Sequence, residues 1–260
     1  MGNLDRLCFY SPEGTFSTNS ESRHMHLVYI HIPLPMQNMN YNFHVTEDNR
    51  FVIFVNNSLK WVKDDSHALQ SLFISYKFKT ELHENKEIKE IKDILDKLSE
   101  SISPECSCVV VWFLMNGDKN GIYDYKDNYE QLGQLVAGLK GDKCSNLAGK
   151  PKIVIGQMYH YIPQIQADSG ISYTTSSEAD FLFSVLESKS EPSYGSEDGH
   201  GSHFVQTFVR EMEKMKKEVN LMMAIKNTRN EMNIRMNALE KELLMEIRST
   251  LTKFIYLLIN

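Results

Sequence analysis

The chain has 260 residues, of which 42% are apolar and 24% charged, with a formal net charge of -6. These values suit one large soluble domain, or one domain plus a tail, long enough to bury a sizeable core. The negative balance argues against nucleic-acid binding, which calls for a basic face. The opening "MGNLDR" is followed by no apolar run, so no secretory signal is expected. Arg6 stands where an N-myristoylation signal wants Ser or Thr, and the terminal "FIYLLI" is too short to span a bilayer, so no membrane association is expected.

In chain order, residues 1–44 mix Ser, Asn, His, Met and Pro without a period and read as a flexible N-terminal segment. "RFVIFVNN" (50–57) is the first buried strand. Asp64, Asp65 and Ser66 are N-cap candidates for a helix through "HALQSLFISY", and "KFKTEL" follows as a short strand. Ile88, Ile91, Ile94, Leu95, Leu98 and Ile102 fall at spacings of three and four, which predicts an amphipathic helix whose charged face is solvated. "CVVVWFLM" (108–115) is a continuous apolar run, as expected of a central parallel strand covered on both faces. "YEQLGQLVAGL" reads as helix and "KIVIGQM" as the next strand. In "EMNIRMNALEKELLMEIRS" a helical composition carries Met and Leu at helical spacing, read as core packing.

Four cysteines, Cys8, Cys106, Cys108 and Cys144, form no disulfide framework, so a reducing, cytoplasmic location is expected. Cys106 and Cys108 have no second CxxC or HxxxH to complete a metal site and read as small apolar residues; neither a metal nor a cofactor is implied. Strand and helix alternate, so the fold class is α/β with a mainly parallel sheet. In such sheets functional residues gather just past the carboxyl ends of strands. Two such ends stand out, "FLMNG" (113–117) and "GQMYHY" (156–161).

At those two ends the chain resembles the caspase family. "CVVVWFLMNGDKNGIYDY" is similar to the caspase segment that carries the catalytic histidine in a Ser-His-Gly turn. "LKGDKCSNLAGKPKIVIGQMYHY" is similar to the segment ending in Gln-Ala-Cys-Arg-Gly, which carries the nucleophile. The family histidine lies about 50 residues upstream of its cysteine; here the matching positions are 116 and 159, 43 apart. "EADFLFSVLES" resembles the first strand of the small subunit, "GSHFVQTF" the helix start after it, and "STLTKFIYL" the closing strand. The likeness runs over roughly 41–257 and implies a six-stranded, mainly parallel sheet flanked by helices. It also implies a large-subunit-like region (45–168) and a small-subunit-like region (169–260) within one domain. The short N-terminal segment is more like that of executioner caspases than of initiators.

The resemblance places Tyr159 at the nucleophile and Asn116 at the histidine. Cysteine-protease chemistry needs a thiolate and an imidazole. A tyrosine with an ordinary pKa near ~10 is ionised to about one part in a thousand at neutral pH, and an amide cannot accept and return a proton. Loss of nucleophile or base in a triad enzyme costs on the order of 10⁶ in turnover. Gly117 is what remains of the oxyanion hole, and Gln157 is what remains of the aspartate-binding pocket. The two pocket arginines have no match: Leu59 or Lys60 falls nearest the first, and Asp198 near the second. An acid there repels an aspartate by ~1 kcal/mol in water and about 4 kcal/mol in a half-shielded cleft. His160 beside Tyr159 points elsewhere along the strand and offers no replacement pair.

"IQADSG" (165–170) resembles an inter-subunit processing site cut after Asp168. "LLMEIRS", ahead of "STLTKF", matches the strand that pairs across the family's dimer interface, but lacks its Ile-Pro-Cys opening, so homodimerisation stays open. The expectation is a catalytically inactive caspase homologue, a cytoplasmic regulator of apoptosis. It would act on true caspases by heterodimerisation, with the last strand near "STLTKFIYL" offering the partner edge. The alternatives are a decoy or adaptor that binds other apoptosis regulators and is itself cut after Asp168, and a hydrolase of residual activity.

Overall fold

A computed structural model describes residues 40–41, 48–55, 60–159, 179–188, 201–215, 218–238 and 244–258. In chain order the strands are β1 (Asn40–Tyr41), β2 (Arg50–Val55), β3 (Lys79–Glu84), β4 (Val109–Gly117), β5 (Gly121–Tyr123), β6 (Tyr129–Gln131), β7 (Lys152–Tyr159), β8 (Phe181–Ser188), β9 (Glu218–Asn220), β10 (Leu244–Ser249) and β11 (Phe254–Leu258). The helices are α1 (Lys60–Ser75), α2 (Ile88–Ser101), α3 (Leu132–Leu135), α4 (His203–Lys214) and α5 (Leu221–Ala238).

Six strands form the main sheet in the order β10-β8-β7-β4-β2-β3, with the β5–β6 hairpin attached to the end of β4. β8, β7, β4, β2 and β3 run parallel, and β10 alone of the six runs antiparallel. The alternating side chains of the central strands are buried on both faces, which is why they read as unbroken apolar runs. Phe51, Ile53, Trp112, Leu114, Ile153 and Ile155 face one core, covered by α1, α4 and α5. Val52, Phe54, Val111, Phe113, Val154 and Met158 face the other, covered by α2 and α3. Trp112, fully buried, meets Phe208 edge-on at 5.0 Å and Phe204 at 6.1 Å. Truncating such a residue to alanine costs about 3–5 kcal/mol.

The α2 stripe is as its spacing predicts. Ile91, Leu95 and Leu98 are buried, and Glu87 and Glu90 close a capping box at its start. Three expectations are corrected. α1 begins at Lys60, so Asp64, Asp65 and Ser66 lie inside the helix and cap nothing; the Ser66 hydroxyl donates back to the Lys63 carbonyl. "YEQLGQLVAGL" is not one helix but β6, the single turn α3 and a 3-10 turn at Ala137–Leu139. Gly133 and Gly138 weaken helical persistence there.

The third correction concerns the edge. β11 is the middle strand of a separate three-stranded sheet, parallel to β1 and antiparallel to β9, so its backbone is paired on both sides. Among the described residues the end of the main sheet is β10, paired with β8. The chain leaves β10 through hydrogen bonds that tie Thr250 to Asp180 and Phe181, at the amino end of β8, and turns away from the main sheet there. Asn40–Tyr41, within the segment 1–44, takes part in the smaller sheet.

Candidate functional site

The carboxyl ends of β4 and β7 meet at one pole of the sheet. Asn116 and Tyr159 are register partners there. Strand alternation puts Asn116 on the same face as Trp112 and Leu114, and Gln157 and Tyr159 on the same face as Ile153 and Ile155. All three site residues therefore lie under α1 and α4. Tyr159 is partly buried and packs against that core. Burial first, and then the charge of Asp65, push its phenol well above the ordinary tyrosine range.

Gly117 pairs with Ile122 across the tight β4–β5 turn. A Cβ at this position would stand 2.4 Å from the Gly121 carbonyl oxygen and 3.1 Å from Met158 Sδ, so only glycine fits. The turn is closed by Asp118, whose Oδ1 accepts from the backbone N–H of Asn120 (2.7 Å) and Gly121 (3.0 Å). Arg248 of β10 reaches the same turn. It donates to the Lys119 carbonyl at 3.2 Å, lies 5.5 Å from the Phe183 ring centroid, and pairs with Glu246 at 3.2 Å.

Gln157 is 2% exposed, and its Oε1 accepts from the Ser202 hydroxyl at 3.0 Å. Ser202 is the N-cap of α4, where its Oγ accepts from the Val205 N–H at 3.2 Å. The Ser202 N–H donates to Asp65 Oδ1 at 2.8 Å, and Gln206 Nε2 donates to the same oxygen at 3.4 Å. Asp65 is fully buried, and its Oδ2 has no hydrogen-bond partner among the described residues. Burial raises its carboxyl from the ordinary range to about 7, the bonds from Ser202 and Gln206 opposing the rise and neighbouring Asp64 adding to it. Gly201, at φ +80, lets the chain pass this cluster: a Cβ would stand 2.4 Å from Asp65 Oδ1 and 2.5 Å from Gln206 Nε2.

The sequence thus leads to Asn116, Gly117, Gln157 and Tyr159, and the fold brings them to one pole. Lys60 is the first residue of α1. Leu59, His160, Asp168 and Asp198 lie outside the described residues. Sequence reasoning missed the hydrogen bond that ties Asp65 to Ser202. The helix-start pattern of "GSHF" marks Ser202 as a cap, but nothing local marks the carboxylate 137 residues away. Cys106 and Cys108 sit at the opposite end of β4 from Asn116 and are buried. Burial raises both thiols, Cys108 well above the ordinary range. The pole therefore offers a neutral amide, a phenol held in its protonated form and a buried carboxyl.

A central, mainly parallel sheet between two helical layers, with its residues of interest at the carboxyl ends of β4 and β7, defines a three-layer α/β domain. The family model described as "Caspase domain" matches residues 40–256, and the chain belongs to the caspase family. It is 28% identical to Caspase-6 of Mus musculus over 145 residues, covering 47% of this chain and 52% of that protein. It is 27% identical to Caspase-7 of Gallus gallus over 174 residues, covering 61% and 55%. The chain spans about half the length of the curated relatives it matches. The structure described as pro-sf-caspase-1 superposes with a TM-score of 0.69 at 23% identity, covering 83% of this chain and 97% of that one. Caspase-1 from Spodoptera frugiperda gives 0.65 at 22%, covering 87% and 96%. Both share this fold.

Proposed function

We propose that the chain is a pseudoprotease: a caspase-family domain that turns over no substrate and regulates active caspases by pairing with them in the cytoplasm. The observation that carries this reading is the pairing of Asn116 with Tyr159 at the pole where the family resemblance puts the histidine and the cysteine. An amide cannot shuttle a proton, and a phenol pushed above its ordinary range is a poor nucleophile at neutral pH. Gly117 and Gln157 keep the frame of a site without its reacting groups.

Pairing with a partner runs through β10. Among the described residues it ends the main sheet, and a strand in that position presents backbone N–H and C=O groups to a second chain. Order lent to a partner's loops in this way needs contacts and no chemistry. Asp168 is assigned as a processing site in the same reading, cut by an active caspase.

The test is native mass spectrometry of the purified chain mixed with an active caspase. A one-to-one complex is expected. Two separate species at all mixing ratios would contradict heterodimerisation and leave the chain as a cleavable decoy.

A further inference from the structure

We propose that Asp65 is a proton-controlled latch that joins α1 to the start of α4 and, through Ser202, to Gln157 at the end of β7. The geometry comes from three elements. The carboxylate of α1 is aimed at the first turn of α4, where it accepts from the Ser202 N–H at 2.8 Å and from Gln206 Nε2 at 3.4 Å. The Ser202 hydroxyl carries the contact onward to Gln157 Oε1 at 3.0 Å. Asp65, Gln157 and Ser202 are all buried, with exposures of 0%, 2% and 0%.

One oxygen of the latch is satisfied and the other is not. Oδ1 takes both donors from α4, while Oδ2 is buried without a hydrogen-bond partner among the described residues. A buried carboxylate with an unsatisfied oxygen loses the hydration it would have in water, whereas its protonated form loses far less. The charged and titratable groups acting on Asp65 make ionisation harder still. Asp64 on its own helix raises its proton affinity, and Tyr159 faces it from β7 as a neutral phenol. From α4 it meets Ser202 and Gln206, both uncharged. No cation among these groups offsets the charge.

The sign follows from linkage. The latched carboxyl titrates at about 7 against an ordinary value of 3.8, so the latched state holds a proton that an opened, hydrated Asp65 releases. Latching is strongest at low pH. It weakens as the pH rises from about 4 through about 7, and then levels off. Opening frees the first turn of α4 and removes the donor from Gln157. The pole that carries Asn116 and Tyr159 is then held less firmly above neutrality than below it. This inference needs no partner and stands or falls separately from the regulatory role.

The experiment is hydrogen exchange on the whole chain at pH 5 to 8, each rate divided by the intrinsic rate at that pH. The protection of the Ser202, Val205 and Gln206 amides should fall by roughly 10- to 100-fold across this range. The amides of α2, such as Ile91, should change much less. Asp65→Asn should flatten the profile. Gln206→Leu, which keeps the carboxyl but removes its side-chain donor, should move the midpoint to higher pH. Protection at α4 that is independent of pH, or that changes in step with α2, would overturn the latch. An unchanged midpoint in Gln206→Leu would also overturn it, and needs no folded Asp65→Asn protein.

Discussion

Asn116 and Tyr159 face each other in register across the parallel pair β4–β7, on the face of the sheet covered by α1 and α4. A proton relay between such neighbours needs one group that titrates near neutrality. The amide does not titrate, and burial and Asp65 keep the phenol protonated. The carboxyl of Asp65 is the group of this cluster that titrates near 7, and its bonded oxygen is committed to α4.

Thiol reagents should report the same absence. Cys106 and Cys108 are buried, and their thiols are raised above the ordinary range, so neither supplies thiolate at neutral pH. In the native chain at pH 7.5, a maleimide followed by peptide mapping should leave both unmodified over minutes, and denaturant should expose both. Rapid native labelling of either would contradict the packing at the start of β4.

Restoring the two reacting groups should not restore a caspase. Tyr159→Cys with Asn116→His supplies a thiol and an imidazole in register, but no arginine stands in "NNSLKWVKDDS" or "SYGSEDGHGS" to hold an aspartate side chain. The double variant should show turnover of Asp-containing peptides at least 10³-fold below that of an active caspase, about 4 kcal/mol of missing transition-state stabilisation. Turnover within tenfold of an active caspase would show that pocket residues other than these two loops suffice.

Gly201→Ala should destabilise the chain by about 1–3 kcal/mol in urea unfolding. The position has φ +80, and the new methyl would press on Asp65 Oδ1 and Gln206 Nε2. Gly133→Ala, where a Cβ meets nothing within 4 Å, is the control and should cost little. Equal effects at the two sites would contradict the crowding at the latch.

Arg248→Ala should loosen the β4–β5 turn from a distance. The side chain links β10 to the Lys119 carbonyl and lies against Phe183, with Glu246 beside it. Partly exposed contacts of this kind are worth about 1–2 kcal/mol together. Exchange at 118–121 should accelerate several-fold while β2 is unaffected. No change there would confine Arg248 to its own strand.

The central strands were legible because residues buried on both faces leave an apolar run, as "CVVVWFLM" and "KIVIGQM" do. α2 was legible because one buried stripe repeats every three or four residues. The start of α1 was not. Asp64, Asp65 and Ser66 have the side chains of helix caps, but Asp65 is claimed by α4, a tertiary partner that no local pattern reveals. The placement of β11 was also hidden. An apolar segment of that length fits either the edge of the main sheet or the middle of a small one, and the choice rests on Thr250 turning the chain at Asp180 and Phe181. At the site, Asn116, Gly117, Gln157 and Tyr159 came from the resemblance, while the Ser202–Asp65 connection needed the fold.

The most direct measurement is the rate of Asp-peptide cleavage by an active caspase titrated with the purified chain, beside the chain alone. The account predicts no cleavage by the chain alone, and a saturable change in the partner's rate that is weakened when Glu246→Pro and Ile247→Pro disrupt β10. Adjacent residues of a strand point their N–H groups to opposite sides, so one of these two variants acts on the outer edge. Asp-specific cleavage that scales with the chain's own concentration, or a partner rate unchanged at every excess, would contradict it.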